Sequence, residues 1–144
     1  LYDNNGKLKN TITDRDFVAG KIFSIDTLGR SMIFEGYGLN KRGNPYYKHF
    51  YKSNFDGSGF TELTPAEGEH TIDLSYDKKY VLDRYSTVEQ MQRTEIRDMK
   101  GRLRNDIPMP GDSCLLAAGW SRPRTATVKA ADGATDLYGV VYSP

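Results

Sequence analysis

Two serines stand in contexts that invite a nucleophile reading. Gly119-Trp120-Ser121 is the first half of the Gly-x-Ser-x-Gly elbow that lifts a serine hydroxyl above a sheet. That elbow needs a second glycine for its sharp strand-to-helix turn, and Arg122-Pro123 follows instead. Gly111-Asp112-Ser113-Cys114-Leu115 fails in the same way. Both histidines, His49 and His70, lie upstream of both serines. In the elbow's usual chain order the serine comes first, then an acid, then a histidine. No catalytic residue is assigned, and Ser121 is read as an ordinary serine.

The other reactive side chains have plain roles. His70, after Glu67-Gly68-Glu69, is expected to be a turn-capping histidine bonded to backbone, and His49 to be packing in an aromatic strand. No third ligand lies at metal spacing, so neither a metal nor a cofactor site is assigned. Cys114 is expected to be a buried small hydrophobe. Asp83 and Arg84 are neighbours on a strand and point to opposite faces, so they are not partners in one site. Tyr46, Tyr47 and Tyr51 would suit stacking on sugar or peptide, but packing in and between sheets is the expected role. Lys41-Arg42 reads as a solvated loop tip.

The elements that position these residues are strands. Thr71 to Ser75 alternates, with Ile72 and Leu74 on one face, and Tyr80 to Ser86 alternates again around the polar break Tyr76-Asp77-Lys78-Lys79. Before this hairpin, strands are expected at Lys7-Leu8-Lys9, Phe17-Val18, Ile22 to Asp26, Ser31 to Tyr37, Tyr46 to Phe55 and Phe60 to Leu63. After it, the sequence predicts a strand over Glu89 to Asp98 and a return from Leu103. A Pro-containing connection follows from Ile107, then strands at Thr125 to Ala131 and Leu137 to Tyr142. Glycine turns recur at residues 5–6, 56–57, 100–101 and 132–133. The first three are about 45–50 residues apart, the length of one four-stranded propeller blade. The fold expected is therefore all-β: antiparallel four-stranded meander sheets, about two blades, plus a short C-terminal β segment.

Composition narrows the partners. The 144 residues carry 20 basic and 19 acidic side chains, a net charge of +1, which gives no electrostatic reason to expect nucleic acid or an anionic membrane. The longest apolar run is too short to span a bilayer, and the N-terminus has no signal pattern. One cysteine excludes an internal disulfide framework. The chain opens Leu-Tyr-Asp with no initiator Met, and is expected to be a piece of a longer protein.

In order along the chain, several motifs resemble the propeller domain of the dipeptidyl peptidase IV branch of the prolyl oligopeptidase family. They are Asn44-Pro45-Tyr46-Tyr47-Lys48-His49-Phe50-Tyr51-Lys52, Asp56-Gly57 with Leu63-Thr64, and Glu67-Gly68-Glu69-His70 with Ser75, Asp77, Lys79-Tyr80 and Tyr85-Ser86. Ala118-Gly119-Trp120 through Asp132 to Gly139 is similar to the crossing into that family's catalytic domain. Tyr76 stands where the family usually has Pro. The resemblance implies a partial propeller over residues 1–110 and a connection to an α/β-hydrolase domain over 111–144. It implies a secreted or periplasmic parent that is a serine exopeptidase releasing dipeptides from peptide N-termini. The segment itself would be inactive and would gate peptide access to a catalytic domain elsewhere. The partners implied are the rest of the parent peptidase and its peptide substrates. Uncovered sheet faces would favour a homo-oligomer of the segment. The alternative from the residues alone is an independent all-β module that binds peptide or glycan.

Overall fold

The computed structural model describes residues 1–40 and 43–143. Lys41-Arg42 therefore falls outside the described residues. Two four-stranded antiparallel meanders account for most of the chain. The first runs β1 (Val18–Asp26), β2 (Ser31–Tyr37), β3 (Lys48–Asn54) and β4 (Thr61–Glu62). The second runs β5 (Glu69–Leu74), β6 (Tyr80–Ser86), β7 (Arg93–Asp98) and β8 (Leu103–Ile107). A short helix, α1 (Ser113–Ala117), and a two-stranded ribbon, β9 (Arg124–Lys129) with β10 (Asp136–Val141), follow. This is the expected all-β class, with each sheet built as a propeller blade is built.

The register explains which residues face inward. Across β5 and β6, His70 opposes Tyr85, Ile72 opposes Asp83 and Leu74 opposes Val81, and these six share one face. Opposed residues on β6 and β7 put Glu95 and Arg97 on the same face. That face lies against the first sheet. Ile33, Phe50, Leu63, Ile72 and Val81 form the shared core, with Leu74 and Met99 packed at its margin. Burying one such aliphatic or aromatic side chain contributes about 1.5–3 kcal/mol. The core therefore belongs to the seam between the sheets rather than to either sheet alone. The far face of the first sheet carries an aromatic group, where Phe34 and Tyr51 are sealed under Phe17 and Phe60. Arg15 lies over the Phe60 ring at 4.2 Å from its centroid.

Several expectations are corrected. Lys7 to Lys9 is no strand: the segment has a single bridge between Tyr2 and Leu8. Phe17-Val18 and Ile22 to Asp26 are not separate pieces. Val18 to Asp26 is one strand whose pairing slips between Ala19 and Ile22 and again between Ile22 and Ser24. Such bulges break the alternation that sequence reading relies on. The expected Glu89–Asp98 strand starts only at Arg93, because the chain turns at Thr87 to Gln90: the Glu89 and Gln90 amides donate to the Thr87 hydroxyl, and the Thr87 amide donates to the Gln90 carbonyl. The connection after Ile107 contains α1. Cys114, on that helix, is exposed and not a buried hydrophobe, since α1 buries none of its residues against the rest of the described chain.

Candidate functional site

A cluster of ionisable side chains lies buried in the seam. His70 is fully buried. Its Nδ1 is hydrogen-bonded with Asp83 Oδ1 at 2.7 Å and its Nε2 with the Ala66 carbonyl oxygen at 2.8 Å. The ring stacks on Tyr85 and tilts against His49, each at 4.9 Å between centroids. His49 in turn bonds through Nδ1 with the Thr64 carbonyl oxygen at 2.8 Å. Asp83 Oδ2 faces Arg97 Nε at 3.5 Å, and among the described residues neither atom has a hydrogen-bond partner. Arg97 donates from Nη1 to the Gly101 carbonyl at 2.9 Å and pairs through Nη2 with Glu95. The Tyr85 hydroxyl donates to Glu95 at 2.8 Å, and burial, then that carboxylate, pushes the phenol up to about 12. His70, Tyr85 and Arg97 thus interlock with the carboxylates of Asp83 and Glu95 across β5, β6 and β7.

A carboxylate on an imidazole is the base half of a hydrolytic relay. Here both partners, His70 and Asp83, are 0% exposed. The expected backbone bond of His70 is present, and the Asp83 partner was not foreseen. His49 packs as expected.

The tempting serines stay apart from both histidines. Ser121 is exposed and its hydroxyl donates to the Ser143 carbonyl at 3.1 Å. Ser113 opens α1. Arg122, which spoils the elbow motif, has a different use: it grips Asp112 with Nε at 2.6 Å and Nη2 at 2.7 Å, a bidentate clasp. That guanidinium holds the Asp112 carboxyl below its ordinary value. Among the described residues no group of three potential ligands could hold a metal. Arg84 pairs with Asp73 and not with Asp83, as strand geometry requires.

A cleft of about 480 Å³ opens at the end of the sheets where the β2–β3 and β6–β7 loops meet the ribbon. Asn40, Asn44, Tyr47, Glu67, Glu89 and Tyr138 line it. Its carboxylates are engaged. Glu67 accepts from the Asn44 amide at 3.0 Å and the Asn40 side chain at 3.4 Å. Glu89 accepts the Thr125 amide at 2.7 Å and its hydroxyl at 2.6 Å, which ties the ribbon to the second sheet and lowers the Glu89 carboxyl. The tyrosine group divides. Tyr51 is sealed in the aromatic layer, where burial and then Glu62 raise its phenol, whereas Tyr46 is 65% exposed and meets Tyr138 edge-on. Glu89 and Tyr138 were not singled out from sequence, since no local motif marks a contact 36 residues apart.

Antiparallel four-stranded meanders packed face to face are the units of a propeller. Residues 1–92 match the family described as the dipeptidyl peptidase IV (DPP IV) N-terminal region, and the chain belongs to that family. Among solved structures, it is similar to Porphyromonas gingivalis dipeptidyl peptidase 4, with a TM-score of 0.66 and 16% identity, covering 95% of this chain. It is also similar to a protein described as a dipeptidyl aminopeptidase IV from Bacteroides ovatus ATCC 8483, with a TM-score of 0.62 and 24% identity over 88% of this chain. At these identities the likeness speaks for the fold. The chain spans 19% and 17% of the lengths of those two proteins.

Proposed function

We propose that this chain is a noncatalytic wall of a serine exopeptidase that releases dipeptides from peptide N-termini. Its two sheets belong to a propeller that gates peptide access to a catalytic domain elsewhere in the same polypeptide. Residues 111–144 are the connection toward that domain, and the whole protein works in the periplasm or outside the cell. The family match over residues 1–92 carries this reading. It is supported by the sealing of both histidines in the seam, which leaves Ser113 and Ser121 without a base. Catalysis by a serine hydroxyl needs a base within hydrogen-bond reach. The whole polypeptide tests the reading. It should hydrolyse a dipeptidyl chromogenic substrate and trim short unfolded peptides while leaving folded proteins intact. Loosening the seam with Leu63→Ala should admit larger substrates without abolishing turnover of the small one. An enzyme whose size selection is unchanged by that substitution would overturn the gating role.

A further inference from the structure

The hydrogen bonds of His70 bear on its charge. Its Nε2 meets the Ala66 carbonyl oxygen at 2.8 Å, and its Nδ1 meets Asp83 Oδ1 at 2.7 Å. A carbonyl oxygen only accepts, so Nε2 must carry a proton. An ionised carboxylate only accepts as well, so Nδ1 must carry one too. A neutral imidazole has a single N–H and would point a lone pair at one of these oxygens. The ring is fully buried, so no solvent would relieve that repulsion. His49 makes no such demand. It meets the Thr64 carbonyl oxygen through Nδ1, which a neutral ring does equally well.

The surrounding charges agree. The titratable and charged groups packed about the His70 ring are Asp83 and Tyr85 on β6, Glu95 and Arg97 on β7, and His49 on β3, with Glu62 3.9 Å beyond His49. The Tyr85 hydroxyl donates to Glu95, so the phenol is neutral and Glu95 accepts as a carboxylate. Arg97 pairs with that same carboxylate through Nη2. Its Nε faces Asp83 Oδ2 at 3.5 Å, and among the described residues neither atom has a hydrogen-bond partner. Arginine alone therefore does not satisfy Asp83. With a neutral His70, two buried carboxylates would share one cation, and an unmatched buried charge is costly. With an imidazolium, two cations stand against two anions.

We propose that a bound proton latches the seam: His70, on the second sheet and packed against His49 of the first, is an imidazolium in the folded chain, and the sheets part with loss of that proton. Mild acid tightens the latch and base releases it. In the unfolded chain an imidazole gives up its proton near its ordinary value of about 6.5. The folded chain binds the additional proton, so the contribution of the latch is full below that value and is lost as pH rises above it. The latch is independent of the peptidase reading, since every group named lies inside this chain.

Nitrogen NMR of the isotopically labelled 144-residue chain at about pH 7.5 tests this, a pH at which an ordinary imidazole is mostly neutral. The chain has two histidines, so His49→Gln assigns the spectrum. Both ring nitrogens of His70 should carry protons. Folding from urea in weak buffer, followed with a pH indicator, gives a second readout. The wild-type chain should take up about one proton more on folding than Asp83→Asn does. In that variant the amide can donate from Nδ2 to His70 Nδ1 and offer Oδ1 to Arg97, so a neutral ring suffices. Circular dichroism checks that the variant is folded. If it is not, the ring nitrogens of the wild-type chain decide alone. A His70 ring with one bare nitrogen, or equal proton uptake by the two folded proteins, overturns the proposal.

Discussion

Replacing Gly101 by alanine separates backbone strain from the packing of one sheet on the next. Two costs are expected. Alanine at φ +73° is in the left-handed region, which costs about 1–2 kcal/mol. The new Cβ would also lie 2.2 Å from the Glu62 carbonyl oxygen, an atom fixed by the pairing of Glu62 with Tyr51. Relief requires the sheets to part by roughly 1 Å, and a gap of that size forfeits about a quarter to a half of the contact attraction. Leu63, fully buried beside Glu62, would bear most of that loss. Removing such a leucine outright costs about 2–5 kcal/mol, so partial loosening adds about 1–2 kcal/mol. The sum for Gly101→Ala is about 2–4 kcal/mol. Gly6→Ala is the control. It has the same turn and nearly the same φ, but no atom within 4 Å, so only the strain remains. Urea denaturation followed by circular dichroism, at concentrations where the chain is monomeric, reads both. If Gly101→Ala costs no more than Gly6→Ala, the seated-glycine account of the seam is wrong.

Two further predictions concern charge. Asp83→Ala leaves His70 without its Nδ1 partner and Arg97 facing an empty side, and removing one partner of a buried pair costs about 3–5 kcal/mol; a urea midpoint unchanged from wild type would refute the interlock. Burial opposes ionisation of Asp98, but the Lys100 and Arg102 amides and the Arg104 and Arg102 guanidinium groups outweigh it and hold the carboxyl well below its ordinary range. The folded state thus favours the carboxylate, so its contribution is present above the ordinary carboxyl value of about 4 and is lost progressively as pH falls below it. Asp98→Asn should lower the urea midpoint at pH 7 and flatten its acid dependence; parallel curves for the two proteins would contradict this.

Strict alternation made some of the fold legible. Tyr80 to Ser86 is read and observed with the same bounds, because inward Val81, Asp83 and Tyr85 differ cleanly from their outward neighbours. The slips in β1 hid its continuity, since a bulge moves later side chains to the other face. The seam was the least visible part. His70 and Asp83 meet only once β5 and β6 are paired in register, and Glu62 meets Gly101 only once one sheet is laid on another. Cys114 was misread because burial was inferred from residue type, whereas a five-residue helix with no covering layer exposes every side chain it carries.

We propose that this chain supplies structure and no chemistry. The direct measurement is hydrolysis of a Gly-Pro chromogenic substrate by the purified 144-residue chain, alongside Ser113→Ala and Ser121→Ala. The account predicts no turnover above the uncatalysed rate and no difference among the three proteins. Steady hydrolysis by the wild-type chain that disappears in either serine variant would contradict it.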